Sequence, residues 1–315
     1  MTNLPPPTLG TSPPPTSGTA PAIDIRALTK RFGSLTAVDS LDLAVQPGEI
    51  YGLLGPNGAG KTTTLRCLLG FLNPTAGSVS LLGGAPRDLD VRRRVGYVAG
   101  DVTLDRHLKV RDLLKWYGDL RGGVPAAKTE TLCERLTLDP TRKIGELSTG
   151  NRRKVSVVQA FMHEPEVLVL DEATGGLDPL LQRTVLGLVQ ERRAAGAAVL
   201  WSSHLLPEVE NIADRVGILR RGELVREDTM ANLRAEARQR LELRFAEEIP
   251  AGLLDGLPGT SDVAVDGRTA HVVVDGSIAA LLTHIADRDV ERIVSHDDDL
   301  EDIFFTYYGD GSEDQ

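Results

Sequence analysis

From residue 22 onward the chain alternates short continuous apolar runs with longer stretches in which apolar residues recur every three or four positions. Residues 49–54, 95–98, 167–170 and 198–202 are runs of the first kind, rich in Val, Leu and Ile, and each predicts a strand buried on both faces. The stretches between them carry helical periodicity. Strands alternating with helices predict an α/β layer architecture around a largely parallel sheet. Pro47-Gly48 and Arg221-Gly222 mark turns, the first feeding the run at 49–54.

The pattern changes near residue 235. Beyond it the alternation predicts a strand at 241–245, a short helix, strands at 262–265 and 271–274 joined by an Asp266-Gly267 turn, a helix, a strand at 291–294 and a last helix. Ile278, Leu281, Leu282 and Ile285 stand at helical spacing and predict a buried stripe on the second of these helices. The order resembles a split β-α-β unit of ferredoxin-like type. Residues 1–21 differ again, with no charged side chain and two Pro-Pro-Pro runs, a composition that favours a solvated tail. The expected organisation is a tail at 1–21, an α/β domain at 22–235 and a small α+β domain at 236–315.

Charge sharpens this division. The chain of 315 residues carries a formal net charge of −10, yet residues 236–315 alone hold 6 basic and 19 acidic side chains, a net of −13. Such asymmetry marks a separate module, and its sign should keep that module away from anionic headgroups. An acidic chain is also a poor candidate for holding nucleic acid by phosphate neutralisation, so no nucleic-acid partner is expected. Cys67 and Cys133 form no pair spacing and read as reduced and structural. No apolar stretch reaches the roughly 18 residues that a membrane span needs, and the first residues have no signal-peptide pattern. Any work at a membrane therefore calls for a partner that spans it.

The strongest chemical signal follows the apolar run ending at Leu54. Gly55-Pro56-Asn57-Gly58-Ala59-Gly60-Lys61-Thr62 precedes a helix opening at Thr63. Glycines let the backbone turn its N–H groups onto phosphate oxygens, and a helix N-terminus adds partial positive charge. Lys61 suits the β- and γ-phosphates as a point charge, and the Thr62 hydroxyl suits Mg²⁺. A plain glycine-rich turn is the bland alternative. A second apolar run, 167–170, ends in Asp171-Glu172, which places two acids at the carboxyl end of a core strand, where ligands of open α/β sheets sit. Asp171 suits the metal, while Glu172 is free to polarise or orient an attacking water. Taken without the phosphate loop, the same pair would read as a solvated strand end.

Leu147-Ser148-Thr149-Gly150-Asn151 resembles the signature motif of ATP-binding cassette (ABC) ATPases, usually LSGGQ. The motif order is also that of the family: phosphate loop, signature, acidic strand end, and then Gly176-Leu177-Asp178, which resembles the D-loop. His204 resembles the switch histidine, and Phe32 the aromatic that stacks on adenine. The resemblance covers roughly residues 23–228. It implies a P-loop NTPase fold of ABC type, with a RecA-like core plus antiparallel β and helical subdomains, followed here by the small α+β C-terminal domain. It further implies that ATP with Mg²⁺ lies between the phosphate loop of one subunit, residues 55–63, and Ser148 and Gly150 of a second. Glu172 and His204 are then catalytic, and Thr62 and Asp171 hold the metal. Without that context Ser148 is a helix N-cap, His204 an ordinary histidine and Phe32 a cap on the sheet.

The chain departs from the family pattern in several places. The glutamine usual near Gly100 is missing, with Asp101 the nearest replacement, and Ala173 stands where a proline is usual. Thr149 and Asn151 replace Gly and Gln in the signature. With the acidic C-terminal part ending near 299–304, these variants resemble the ATP-binding subunits of bacterial exporters of drugs, antibiotics, lipids or polysaccharides. The expected protein is an ATPase, a homodimer, peripheral on the cytoplasmic face of the membrane and working with a polytopic permease. The other reading is a soluble ABC ATPase acting on ribosomes or DNA. The run Arg152-Arg153-Lys154 is expected on a solvated helix face, or as electrostatic help for nearby phosphates. His107, His163, His271, His284 and His296 show no ligand spacing and are expected to be structural or solvated.

Overall fold

The computed structural model describes residues 20–236, 238–250, 252–275 and 277–296. Most of the proline-rich tail, the 299–304 segment and the expected last helix lie outside these residues. The chain divides into two compact units, with the break between Asp228 and Thr229 rather than at 235.

The first unit runs β1 (Ile23–Phe32), β2 (Leu35–Val45), β3 (Ile50–Leu54), α1 (Lys61–Leu68), β4 (Ala76–Leu81), α2 (Leu89–Arg93), β5 (Val95–Val98), α3 (Val110–Leu120) and α4 (Ala126–Arg135). After a short 3-10 turn come α5 (Thr149–Phe161), β6 (Val167–Asp171), α6 (Pro179–Ala194), β7 (Ala198–Ser203), α7 (Leu206–Glu210), β8 (Arg215–Arg220) and β9 (Glu223–Thr229). Two sheets form. The larger has the order β5-β6-β7-β3-β8-β9, and its first five strands are parallel, with β6 paired to β7 and β3 to both β7 and β8. Every residue of β3, β6 and β7 is buried, which is what a parallel sheet covered on both faces requires and why these runs lack polar alternation.

The smaller sheet, β2-β1-β4, is antiparallel. Its inward residues, among them Ile23, Ile25, Leu28 and Leu41, share one core with Leu65 and Leu68 of α1 and with Tyr51, Leu53 and Val169 of the large sheet. Helix α1 is thus clamped between two sheets at the point where the phosphate-loop motif ends. Helix α5 packs against β5 and α3. Both cysteines are buried and unpaired.

The second unit comprises α8 (Met230–Glu236), β10 (Arg238–Phe245), β11 (Thr260–Asp266), β12 (Thr269–Asp275), α9 (Ala279–His284) and β13 (Val290–His296). Its sheet has the order β11-β12-β10-β13, antiparallel throughout, the arrangement of a split β-α-β unit. Leu241, Leu243, Phe245, Val272 and Val274 face Leu281 and Ile285. Two expectations need correction. Turns at 252–256, among which Leu253 and Leu254 reach the core, stand where a short helix was expected. Leu282 is 38% exposed because α9 is a single short helix against one sheet face, so only Leu281 and Ile285 of the predicted stripe are fully buried.

His163 shows how burial of an ordinary residue sets a pH response. Its Nε2 lies 3.3 Å from the Val95 carbonyl, and burial, with Arg121 and Arg192 adding repulsion, pushes its pKa down to about 3. The unfolded chain takes up a proton near pH 6.5 that the folded chain refuses until about pH 3, so stability falls as pH drops through that window. Between pH 6.5 and 5 this group removes about 2 kcal/mol at most. His163→Gln keeps a donor for Val95 but cannot charge. Its melting temperature should decline less than the parent's between pH 6.5 and 5, and parallel declines would refute the assignment.

Candidate functional site

Strand β3 delivers the glycine-rich segment to the carboxyl edge of the large sheet. Gly60 is the N-cap of α1 at φ +109°, a left-handed value that side chains rarely adopt. A Cβ there would fall 2.4 Å from the Ala37 carbonyl oxygen, and one at Gly55 would fall 2.4 Å from that of Leu219. The loop is therefore pressed against its supports by backbone, and only glycine fits. Its shape is held by Ala59 N–H to Pro56 O at 3.1 Å, Gly222 N–H to Ala59 O at 2.9 Å and Gly55 N–H to Ser203 O at 3.3 Å. Lys61, 5% exposed, donates to the carbonyls of Gly55 at 2.5 Å and Pro56 at 3.1 Å. Burial lowers its pKa below the usual lysine value, while the charges of Glu172 and Asp171 oppose that shift.

Strand β6 ends beside this loop. Asp171, 2% exposed, accepts the Ser202 hydroxyl at 2.5 Å on one oxygen and the Thr62 hydroxyl at 3.1 Å on the other. A buried carboxylate is costly unless its lone pairs are used, and both oxygens are engaged. Glu172 follows at φ +48°, a left-handed conformation that costs a non-glycine residue about 1–2 kcal/mol. Its Oε1 lies 3.0 Å from His204 Nδ1, so the two expected catalytic side chains touch. Asn57, Thr62, Arg66, Tyr97, Gly100, Asp101, Asp171 and Glu172 line one cleft of about 220 Å³. Burial, reinforced by Asp171, pushes the Tyr97 phenol up to about 12, so it stays protonated.

These residues fit a magnesium–triphosphate. Gly55 and Gly60 leave no room for a Cβ, and a hydroxyl and a carboxylate 3.1 Å apart are the hard oxygen donors that Mg²⁺ takes. Among the described residues no group of three or more His, Cys, Asp or Glu is placed to hold a metal alone.

Other expected residues lie outside the cleft. Ser148 is the N-cap of α5 and accepts the Asn151 N–H at 3.2 Å, with the helix beginning at Thr149. Ser148 and Gly150 do not line the cleft that holds Thr62 and Asp171. Phe32 ends β1 with 46% of its surface exposed and Lys30 Nζ 4.9 Å from its ring centroid. The expectation of a solvated basic face at 152–154 fails. Arg153 and Lys154 are each only 9% exposed, and Arg153 donates to the carbonyls of both Ala99 and Gly100. Desolvation lowers its pKa, and Asp171 and Glu172 act against that. Sequence reading also passed over Ser202. Its signal was a hydroxyl closing an apolar strand, and parallel pairing sets it in register with Asp171.

Residues 38–175 match the ABC transporter family. The chain is 32% identical over 308 residues to the bacitracin transport ATP-binding protein BcrA of Bacillus licheniformis, covering 90% of this chain and 96% of that protein. It is 33% identical to the Nod factor export ATP-binding protein I of Burkholderia pseudomallei strain K96243, covering 91% and 97%. A solved ATP-binding subunit of an ABC transporter superposes with a TM-score of 0.64 at 28% identity, over 68% of this chain and 92% of that one. The chain belongs to the ATP-binding cassette family. It is an ATP-binding subunit of transporter type, an ATPase whose cofactor is Mg²⁺.

Removing the Ser202 hydroxyl leaves one Asp171 oxygen without its donor and free to rotate. Ser202→Ala should raise the Mg²⁺ concentration for half-maximal ATP hydrolysis about 10-fold, as loss of a group orienting a metal ligand does. A magnesium titration unchanged from the parent would contradict this.

Proposed function

We propose that the chain powers an exporter as a pair of identical cassettes seated on a separate membrane permease. Support comes from BcrA and the Nod factor export protein, both of which align along nine-tenths of this chain. Their cargoes differ, which favours a common drive over a common substrate. Among the described residues no helix is long and apolar enough to cross a membrane. The exporter therefore needs a spanning partner, and the cassette sits peripherally on its cytoplasmic side.

One contact carries the hydrolytic reading, namely His204 Nδ1 against Glu172 Oε1 beside the Asp171–Thr62 pair. Residues 55–63 hold the β- and γ-phosphates through backbone N–H groups, and Lys61 supplies the neutralising charge. Thr62 and Asp171 would hold Mg²⁺, which when bound would supply positive charge to the phosphate oxygens. Glu172 orients the attacking water and accepts its proton, and His204 steadies that carboxylate with one ring nitrogen while the other faces the γ-phosphate. Phe32 stacks on the adenine from the exposed end of β1. Ser148 and Gly150, which do not line the cleft of their own chain, close over the nucleotide of the opposing copy. Because the hydroxyl already caps α5, it brings a helix N-terminus with it.

A second cleft of about 580 Å³ adjoins the first at Tyr97, Ala99 and Asp101. Phe71, Leu89 and Leu120, each more than half exposed, line it together with Arg92 and Arg93. This apolar groove, shared with the cleft that hydrolyses ATP, is the face for a cytoplasmic segment of the permease. Sharing a wall lets opening and closing of one site be felt at the other.

Glu172→Gln retains the shape of the site but loses the proton acceptor. Turnover should fall at least about 100-fold while ATP still binds, and an ATP-dependent dimer should accumulate on gel filtration. Hydrolysis at the parent rate would overturn the assignment of the base.

A further inference from the structure

We propose that Glu208 is a positioning residue of the hydrolytic site, holding on one carboxylate the segment that follows Glu172 and the segment that precedes His204. It rests on the roles of Glu172 and His204 given above and extends them to a residue outside the cleft lining. Glu208 lies on α7, behind the strand ends. Its Oε1 accepts the Thr174 hydroxyl at 2.6 Å, and its Oε2 accepts the hydroxyl of Ser203. Thr174 stands two residues after Glu172, and Ser203 immediately before His204. Both are buried, so their hydroxyls have no bulk water as an alternative.

Three further contacts make this more than a local tie. Glu172 N–H donates to Ser202 O at 3.1 Å, so the two segments are already joined at the backbone on the near side of the site. Glu172 Oε1 and His204 Nδ1 meet at 3.0 Å on the working side. Ser203 Oγ also receives the Leu205 N–H at 2.9 Å, which fixes the hydroxyl and turns the chain just after His204. The Glu208 carboxylate is the third side of this frame. Without it the Ser203 hydroxyl keeps only its own turn, accepting the Leu205 N–H and donating to the Leu205 carbonyl at 3.1 Å, and among the described residues no side chain ties the Thr174 segment to the Ser203 segment except the Glu172–His204 contact itself.

Glu172 gives the frame its purpose. Its φ of +48° is disfavoured for a side-chain-bearing residue, and such a conformation persists only where the surroundings over-determine it. Gly175 N–H to Glu172 O at 3.1 Å and Leu177 N–H to Thr174 O at 3.1 Å close the turn that follows, and the Thr174 hydroxyl anchors that turn to α7. An ionised carboxylate suits the task because it is acceptor-only and takes two hydroxyls at once, with charge-assisted strength. A carboxamide offers one acceptor and must turn its NH₂ to the other hydroxyl. It therefore keeps part of the frame.

The test uses the purified full chain with Glu208→Ala, Glu208→Gln, Thr174→Val and the Glu208→Ala/Thr174→Val double variant, and Glu172→Gln as reference. ATP turnover is measured against ATP concentration, and binding of trinitrophenyl-ATP is titrated separately. Glu208→Ala should lower kcat about 10- to 100-fold with the binding constant within about 3-fold of the parent, the signature of a residue that acts on the reacting geometry alone. Glu208→Gln should recover part of the loss, and the double variant should lose no more than the worse single one, because both remove the same link. A folded Glu208→Ala with parent kcat overturns the proposal, as does a parallel loss of turnover and nucleotide affinity. Should Glu208→Ala fail to fold, Thr174→Val is judged on the same two readings. Parent-rate hydrolysis by Glu172→Gln would instead bring down the underlying assignment. An inactive Glu172→Gln beside fully active Glu208→Ala and Thr174→Val would sink only the frame.

Discussion

Asp171 is the point where folding and chemistry make opposite demands. Four apolar residues, Val167 to Leu170, draw β6 fully into the sheet and carry a carboxylate in with them. Its burial is tolerable because the neighbouring parallel strand ends in Ser202, in register, and because α1 presents Thr62 from the other side. Lys61 and Arg153, both nearly excluded from solvent, supply positive charge close enough that Asp171 acts on each. The phosphate loop, the acidic strand end and the histidine come together because β3, β6 and β7 are adjacent and parallel, so their carboxyl ends open on one side.

What the sequence made legible follows from this. Continuous apolar runs are the plain signature of strands buried on two faces, and all four appear where they were expected. Motifs at their ends inherit that placement, which is why Lys61, Thr62, Asp171, Glu172 and His204 fall at one sheet edge. The antiparallel strands β1 and β2 were harder to see. Their pairing slips at several points, between Ile25 and Leu28 among others, so the alternation of apolar and polar residues is broken. Arg153 and Lys154 were misread for a different reason. Charge is a guide to exposure only where no acceptor waits inside, and here the carbonyls of Ala99 and Gly100 receive Arg153 and that of Thr137 receives Lys154. Leu282 errs the other way, since helical spacing says which residues share a face and not how wide the covering sheet is.

One departure from the family pattern falls on residues 99–100. Where a glutamine is usual, Gly100 lies so close to the carboxylate that a Cβ would meet Asp171 Oδ2 at 3.3 Å. Asp101 lines the same cleft and Arg153 holds the backbone of residues 99 and 100. Asp101 thus stands in the cleft with Thr62 and Asp171 where the family pattern has a neutral amide. Ala173, in place of the usual proline, is wholly enclosed, and the adjoining turn keeps its course through hydrogen bonds at Glu172 and Thr174.

Arg153 also has a mechanical consequence. Helix α5 starts at the signature residues and, one turn in, grips consecutive carbonyls at the mouth of the cleft. Tilting this helix without carrying residues 99 and 100 along would strip two charge-assisted bonds from a cation that has little water to turn to. The helix that starts at the signature residues and the mouth of the cleft are therefore tied by one buried side chain, and separating them has an electrostatic cost.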